Sequence, residues 1–261
     1  MSSCLPLLGK QVLIARGKGQ ASSFMNKIKE LGGIPHSVPL IGFRNFMDSK
    51  EDVYLSQIFT YDWLIFTSKN GVDFFFQKLK ENRVDYHALN ARIAVIGTKT
   101  NAALEKYGFR AQFIPDGFSA EHFAEHAVKN SFQANRVLIA KGNLARDLIA
   151  RMLRGIGIEV DEWIVYETYL PKGESLRLVN VLKKETIDVV ALTSPSTVRH
   201  FIQSVGRHEF SQLKPKPVIA CIGPVTKKEA ERFGLDVAIC PEEYTTDALI
   251  EEICRYYKEE L

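Results

Sequence analysis

The sequence predicts an α/β fold of two similar parallel-sheet domains, arising from an internal duplication and joined by a two-stranded connection. Two observations predict it. Short apolar, β-rich runs alternate with helical patterns along the whole chain. The chain also repeats itself: residues 62–127 align on residues 188–253 without a gap, a shift of 126. DWLIFTSKNGVDFF lies over DVVALTSPSTVRHF, and IAVIGTKTNAALEKYGF over IACIGPVTKKEAERFGL; Pro115 falls on Pro241 and Ser119 on Thr245. The first unit recurs at a shift of 125, VLIARGKGQ over VLIAKGNLA. A solenoid would repeat about every 20–50 residues and more often. A duplication near half the chain length means two similar domains instead.

In order along the chain, the strand candidates are Val12–Ala15, Trp63–Phe66, Ile93–Ile96, Val137–Ala140, Val189–Leu192 and Val218–Ile222. They are continuous apolar runs, the pattern of strands covered on both faces in a parallel sheet. Each is followed by a helix pattern. After Ala15, Phe24, Ile28 and Leu31 recur at helical spacing, and Gly32-Gly33 ends the helix. After Ile96, a helix over Thr100–Tyr107 stops at Gly108. Repeated strand–loop–helix units predict right-handed parallel crossovers. Two extended segments, His36–Phe43 and Glu162–Leu170, follow the first strand–helix unit of each half. They are placed to carry the chain from one domain to the other and back.

Over 261 residues, 46% hydrophobic and 25% charged is a globular mixture that excludes long disorder. A net charge of +3 is too balanced for a dedicated nucleic-acid binder. No apolar run approaches the ~20 residues of a membrane helix. Neither nucleic acid nor membrane is therefore an expected partner. The opening MSSCLPLLGKQVLIARG has no basic n-region, and Gly9-Lys10 interrupts its apolar stretch, so it does not read as a signal peptide. Cys4, Cys221, Cys240 and Cys254 show no CxxC or ligand spacing and read as reduced thiols of a cytoplasmic protein.

In open parallel sheets ligands bind beyond the carboxyl ends of the strands, where helix N-termini point. Those junctions carry Arg16-Gly17-Lys18-Gly19, Thr67-Ser68-Lys69-Asn70-Gly71, Gly97-Thr98-Lys99-Thr100, Lys141-Gly142-Asn143, Thr193-Ser194-Pro195-Ser196-Thr197 and Gly223-Pro224-Val225-Thr226. Glycine admits close approach. Ser and Thr serve equally as helix caps or as donors to an oxyanion. Arg16, Lys69, Lys99 and Lys141 add charge-assisted donors. Junctions of this one composition point to a ligand with several anionic groups. There is no GxGxxG, GxxxxGK[ST] or GxSxG. His122, Glu125 and His126 match H-x-x-E-H, but both His positions are replaced in the equivalent repeat segment, Ala248 to Glu252, which argues against zinc. Trp63 and Phe74–Phe76 read as core, and Lys227-Lys228-Glu229 as an exposed helix face.

FTSKNGV (Phe66–Val72), IGTKT (Ile96–Thr100), VYETY (Val165–Tyr169), LTSPSTV (Leu192–Val198) and CIGPVT (Cys221–Thr226) together resemble the uroporphyrinogen-III synthase family, essentially end to end. The resemblance implies two flavodoxin-like lobes. One is discontinuous, residues 1–38 and 169–261; the other is residues 39–168. The first strands are exchanged, Val12–Ala15 joining the sheet of LTSPSTV and Val137–Ala140 that of FTSKNGV. The implied activity is cyclisation of hydroxymethylbilane, a linear octacarboxylate tetrapyrrole, to uroporphyrinogen III. Water is lost and the terminal ring D is inverted, in a cleft between the lobes, without cofactor or metal. Tyr166 matches the family's tyrosine on the connecting segment and is the implied catalytic acid. Thr100 and Thr226 match the threonines after the IG turns. Ser68 and Ser194 match the serines of the TS turns, with Asn70, Gly71, Ser196 and Thr197 continuing them. Thr98 and Gly142, from the strand-end junctions, complete the candidate substrate contacts. The chain is expected to be a monomer, with room for a transient contact with hydroxymethylbilane synthase. Two other classes fit the pattern less well. A non-catalytic bilobal sensor for a small polyanion shares the fold. A sugar-nucleotide transferase would need an acidic metal motif or a diphosphate loop.

Overall fold

The computed structural model describes residues 5–17, 19, 21–115, 123 and 133–259. Lys18 and the motif His122, Glu125 and His126 lie outside the described residues, as does Cys4. In chain order the elements are β1 (Gln11–Ala15), α1 (Ser22–Glu30), β2 (Ile34–Ser37), β3 (Gly42–Asn45), α2 (Glu51–Ser56), β4 (Trp63–Phe66), α3 (Lys69–Glu81), β5 (Arg92–Val95) and α4 (Thr98–Glu105). There follow β6 (Arg136–Gly142), α5 (Leu148–Gly155), β7 (Glu159–Tyr169), α6 (Glu174–Lys184), β8 (Val189–Leu192), α7 (Pro195–Val205), α8 (Arg207–Ser211), β9 (Val218–Cys221), α9 (Pro224–Arg232), β10 (Val237–Ile239) and α10 (Thr246–Glu259).

The chain divides into two compact units. Unit 1 is Met1–Gly42 with Tyr169–Leu261; unit 2 is Phe43–Thr168. The sheet of unit 1 runs β10-β9-β8-β1-β2, the 2-1-3-4-5 order of flavodoxin-like folds. Val12 is in register with Val189, so β1 pairs in parallel with a strand from the far part of the sequence. The sheet of unit 2 runs β3-β7-β6-β4-β5, with Trp63 in register with Val137. These two pairings are the strand exchange that the resemblance implies. In each sheet the central pair, β1 with β8 or β6 with β4, marks the point where successive connections leave in opposite directions.

The strands are continuous apolar runs because both faces are covered. In unit 1, Leu13, Val190 and Ile219 pack on one side, and Val12, Ile14 and Val189 on the other. In unit 2 one face is aromatic: Tyr54, Tyr61, Phe66, Phe75, Phe76 and Trp163 share a cluster. Phe76 stacks on Tyr107 with centroids 4.3 Å apart. Trp63 lies on the opposite face with Ile65 and Ile139. The extended segment His36–Phe43 is two strands rather than one. The Val38 N–H still reaches the Ile14 carbonyl at 3.1 Å, but pairing lapses over residues 39–41, beginning at Pro39, which has no N–H to give to a ladder. Arg44 Nε meets Glu167 Oε1 at 2.6 Å and the Phe46 N–H meets the Val165 carbonyl at 3.4 Å. Numbers thus fall along β7 as they rise along β3, and the two strands run antiparallel where the chain passes between the units.

Burial of the aromatic face makes a pH prediction. Burial first, then Asp48, Asp161 and Glu162, push the Tyr54 phenol up to about 12. Burial and a hydrogen bond to Asp161 push Tyr61 up as well, and burial with Asp73 raises Tyr107. An unfolded tyrosine ionises near pH ~10. The stability these phenols contribute is therefore complete below pH ~10 and lost as pH rises from there toward about 12. Denaturant unfolding between pH 8 and 12 should show that fall, and Tyr54→Phe should lessen it. A Tyr54→Phe profile parallel to wild type across the window would contradict this.

Among the described residues, no helix is long and apolar enough to cross a membrane. Cys221, Cys240 and Cys254 are free thiols. Burial pushes the Cys221 thiol up to about 12, which leaves it unreactive at neutral pH.

Candidate functional site

The helices that follow β4 and β8 begin where their sequences dictate. Ser68 is the N-cap of α3, its Oγ accepting the Gly71 N–H at 3.0 Å. Ser194 caps α7 in a reciprocal capping box: its Oγ accepts the Thr197 N–H at 3.2 Å, and Thr197 Oγ1 accepts the Ser194 N–H at 3.0 Å. Pro195 and Pro224 occupy first-turn positions of α7 and α9, where the missing N–H costs nothing. Gly97, the N-cap of α4, has φ 85°, a conformation open to glycine and strained for other residues.

The central feature of unit 2 lies at the carboxyl ends of β4 and β6, the switch point of its sheet. Tyr166 comes from β7 and its ring lies across Gly142 of β6. A Cβ on Gly142 would stand 2.5 Å from Cζ of Tyr166. The ladder between β6 and β7 shifts register here: Lys141 pairs with Ile164, but Gly142 pairs with Tyr166. The extra residue in β7 aims the tyrosine over the glycine. The Asn143 N–H donates to the Tyr166 carbonyl at 3.1 Å, and Asn143 Oδ1 accepts the Thr168 N–H at 2.9 Å, fixing the bulged stretch. Phe74 stacks on the ring with centroids 5.5 Å apart, and Phe43 meets it edge-on at 5.9 Å. The Tyr166 hydroxyl lies 3.2 Å from Ser68 Oγ. Burial raises the phenol above its ordinary pKa, partly offset by the Ser68 hydrogen bond. The group is therefore a neutral O–H donor at physiological pH, held by aromatic packing and within reach of a helix start.

The switch point of unit 1 lies between β1 and β8. Arg16 follows β1 and is half-buried. Burial lowers its pKa, and no carboxylate pairs with it among the described residues. A partly desolvated cation without an anion is an unfavourable arrangement that a ligand carboxylate would relieve. Ser194 and Ser196 beside it are half-buried, and Thr226 on α9 is buried.

The remaining sequence candidates fall into two groups. Lys69, Thr98 and Lys99 are exposed, and Asn70 is half-buried. Lys69 forms a loose i,i+4 pair with Asp73 at 3.7 Å, which is worth little at the surface. Others are engaged within the fold. Thr100 is buried and donates to the Ile96 carbonyl at 2.8 Å. Thr197 is fully buried in its capping box. Lys141 is buried, with Nζ 2.6 Å from Glu162 Oε1, and Arg154 reaches the other oxygen of that carboxylate at 3.2 Å. Gly71 packs close to the Ala140 carbonyl, whose oxygen a Cβ would meet at 3.0 Å. Sequence reasoning did not single out Phe43, Phe74, Asn143 or Glu162 for the site. Only Asn143, standing in a strand-end junction, carried a local signal. Among the described residues, no group of His, Cys, Asp and Glu could hold a metal ion.

Comparison with known proteins finds relatives along nearly the whole chain. The chain is 28% identical over 250 residues to the porphyrin biosynthesis protein HemD of Ruminiclostridium josui, a match covering 95% of this chain and 49% of that protein. It thus spans about half the length of that relative. It is 28% identical over 252 residues to the uroporphyrinogen-III synthase of Synechococcus elongatus, covering 94% of each. A crystal structure of a uroporphyrinogen III synthase mutant from Thermus thermophilus shares the fold at a TM-score of 0.70 and 14% identity, over 97% of this chain and 100% of that one. The family model for uroporphyrinogen-III synthase HemD matches residues 22–251. With most of the sequence inside that match, the chain belongs to the uroporphyrinogen-III synthase HemD family.

Proposed function

We propose that this chain converts hydroxymethylbilane into uroporphyrinogen III, with loss of water and inversion of ring D. The observation that carries this reading is the neutral Tyr166 phenol at the switch point of unit 2, held against Ser68 and Gly142. Family membership supplies the reaction class.

The chemistry asks little acid or base strength. The carbon–oxygen bond of the hydroxymethyl group breaks readily, because the pyrrole nitrogen stabilises the azafulvenium cation left behind. Tyr166 donates its proton to the departing hydroxyl, which leaves as water. The cation is then attacked by the substituted α-carbon of ring D, giving a spiro intermediate; the bond from that carbon to the methylene shared with ring C breaks, and that methylene, now the cation, is attacked by the free α-carbon of ring D to close the macrocycle. The ring carbon's final proton loss restores the proton balance. Unassisted closure gives the uninverted isomer I, so the protein's task is orientation. Well-oriented groups can reach effective molarities on the order of 10⁵ M or more.

Eight carboxylates call for many donors. Arg16, Ser196 and Thr226 are the proposed carboxylate contacts in unit 1, and Lys69, Asn70, Thr98 and Lys99 those in unit 2, with Ser68, Gly71 and Ser194 holding the two helix starts behind them. Thr100, Thr197, Lys141 and Gly142 support them from behind. Arg16→Gln should raise KM about tenfold with kcat within about twofold, because a hydrogen bond to a charged group is lost while the acid stays in place. Steady-state curves for hydroxymethylbilane read this directly, and an unchanged KM would remove Arg16 from the set.

The chain is proposed to act as a cytoplasmic monomer. Because free hydroxymethylbilane closes unaided to isomer I, a transient contact with hydroxymethylbilane synthase would shorten its path. The deciding experiment supplies porphobilinogen and hydroxymethylbilane synthase, adds this protein, oxidises the products and separates the uroporphyrin isomers. Predominant isomer III is expected. Isomer I alone, with the protein shown to be folded, would overturn the reading.

A further inference from the structure

We propose that Ser68 is a positioning residue for Tyr166: it relays the N-terminus of α3 to the phenol and turns the phenolic hydrogen outward. This rests on the functional reading above.

The argument is one of hydrogen-bond direction. Ser68 Oγ has one hydrogen to give and two lone pairs to accept with. One lone pair takes the Gly71 N–H at 3.0 Å, in the first turn of α3. The other described partner of that oxygen is the Tyr166 hydroxyl at 3.2 Å, a contact in which either group is free to donate. The two directions have opposite consequences. If tyrosine donated to serine, its only hydrogen would be spent inside the protein and none would face a leaving group. If serine donates to tyrosine, the phenolic hydrogen is free for the substrate.

Acceptance of the Gly71 N–H favours the second direction. A hydroxyl oxygen that accepts from the positive end of a helix becomes a poorer acceptor, and its own hydrogen becomes a better donor. The cooperative chain therefore runs Gly71 N–H to Ser68 Oγ, then Ser68 O–H to Tyr166 Oη. As the phenol gives up its proton, the growing negative charge on Oη meets a donor already in place. Of the other described residues set against the ring, Phe43, Phe74 and Gly142 carry no charge and no side-chain donor. In unit 1 the matching serine, Ser194, spends its hydroxyl on Thr197, with Oγ and Oγ1 3.4 Å apart. The relay belongs to one of the two TS turns.

The test uses Ser68→Ala, Ser68→Gly and Ser68→Thr, with Tyr166 followed through a ¹³Cζ tyrosine label assigned by Tyr166→Phe. Glycine serves almost as well as serine at an N-cap, so Ser68→Gly keeps the helix start if alanine disturbs it. The relay predicts a kcat about ten- to a hundredfold lower in Ala and Gly, the scale of a lost charge-assisted hydrogen bond, at unchanged KM, and near-complete rescue by Thr. It also predicts that Tyr166 titrates at higher pH in Ala and Gly than in wild type, because a donor to the phenolate is gone. A Tyr166 resonance that titrates alike in all variants, or a loss of rate that appears wholly in KM, would overturn the relay. The titration needs no substrate. A protein that made no isomer III yet showed the shift would overturn the proposed activity and leave the hydrogen-bond chain standing.

Discussion

Tyr166→Phe should lower turnover about 10²–10⁴-fold, the range for removal of a positioned general acid, while leaving KM for hydroxymethylbilane within about threefold. The ring's packing survives the change. Phenylalanine keeps the stack on Phe74, the edge contact with Phe43 and the seat over Gly142. Only the hydroxyl is lost, together with its contact to Ser68 at 3.2 Å. Stability should therefore change by no more than about 1 kcal/mol, the worth of one ordinary hydrogen bond. The measurement is a rapid-quench time course of isomer III under single-turnover conditions, alongside a denaturant melt. Undiminished turnover would remove the phenol from the chemistry and leave orientation alone to explain the reaction.

Gly142→Ala is the second large effect, and it reaches the same phenol by another path. An added Cβ would stand 2.5 Å from Cζ, 2.7 Å from Cε2 and 2.8 Å from Oη of Tyr166. Real Cβ atoms do not tolerate such distances, so the ring must move by something on the order of an ångström. Overpacking of this kind costs about 1–3 kcal/mol of stability. A displacement of that size can cost about a hundredfold in rate. The double variant Gly142→Ala/Tyr166→Phe separates indirect from direct action. If the glycine matters only because it admits the tyrosine, its replacement should add little once the hydroxyl is gone. Full additivity would mean that Gly142 contacts substrate through its own backbone.

Much of the fold was legible, for reasons that particular strands make plain. Trp63–Phe66 and Val189–Leu192 are read with the bounds the structure gives to β4 and β8, because all four residues of each are buried and flanked by polar turns. The far end of β6 was less visible, since Lys141 and Gly142 belong to the strand but do not look apolar. His36–Phe43 read as one extended segment because periodicity does not register where pairing lapses. The site was legible in its turns and illegible in its contacts. Ser68, Ser194, Gly97 and Pro224 announce helix starts from local chemistry alone. The meeting of Ser68 with Tyr166, 98 residues apart, depends on which strands adjoin and on a one-residue shift in register. Lys141 shows the same limit. It reads as a free strand-end cation until the sheet brings Glu162 beside it. Phe74 reads as core from its neighbours Phe75 and Phe76, yet it turns to the tyrosine.

The pairing of β1 with β8 sets a schedule for synthesis. Val12, Leu13 and Ile14 are fully buried in the finished protein, but the strand that covers one side of them begins at Val189. At a ribosomal rate of roughly 5–20 residues per second, the interval between the two is on the order of ten to forty seconds. Through that time the first strand–helix unit waits with its apolar surface unmatched, while the residues of unit 2 emerge as one continuous stretch and can complete their own sheet. Chaperones that shield short apolar strands should therefore engage the nascent chain early and leave it late, after β8 appears. A circular permutant opened between the units, which brings β8 and β1 to about half their present separation, should depend on them less.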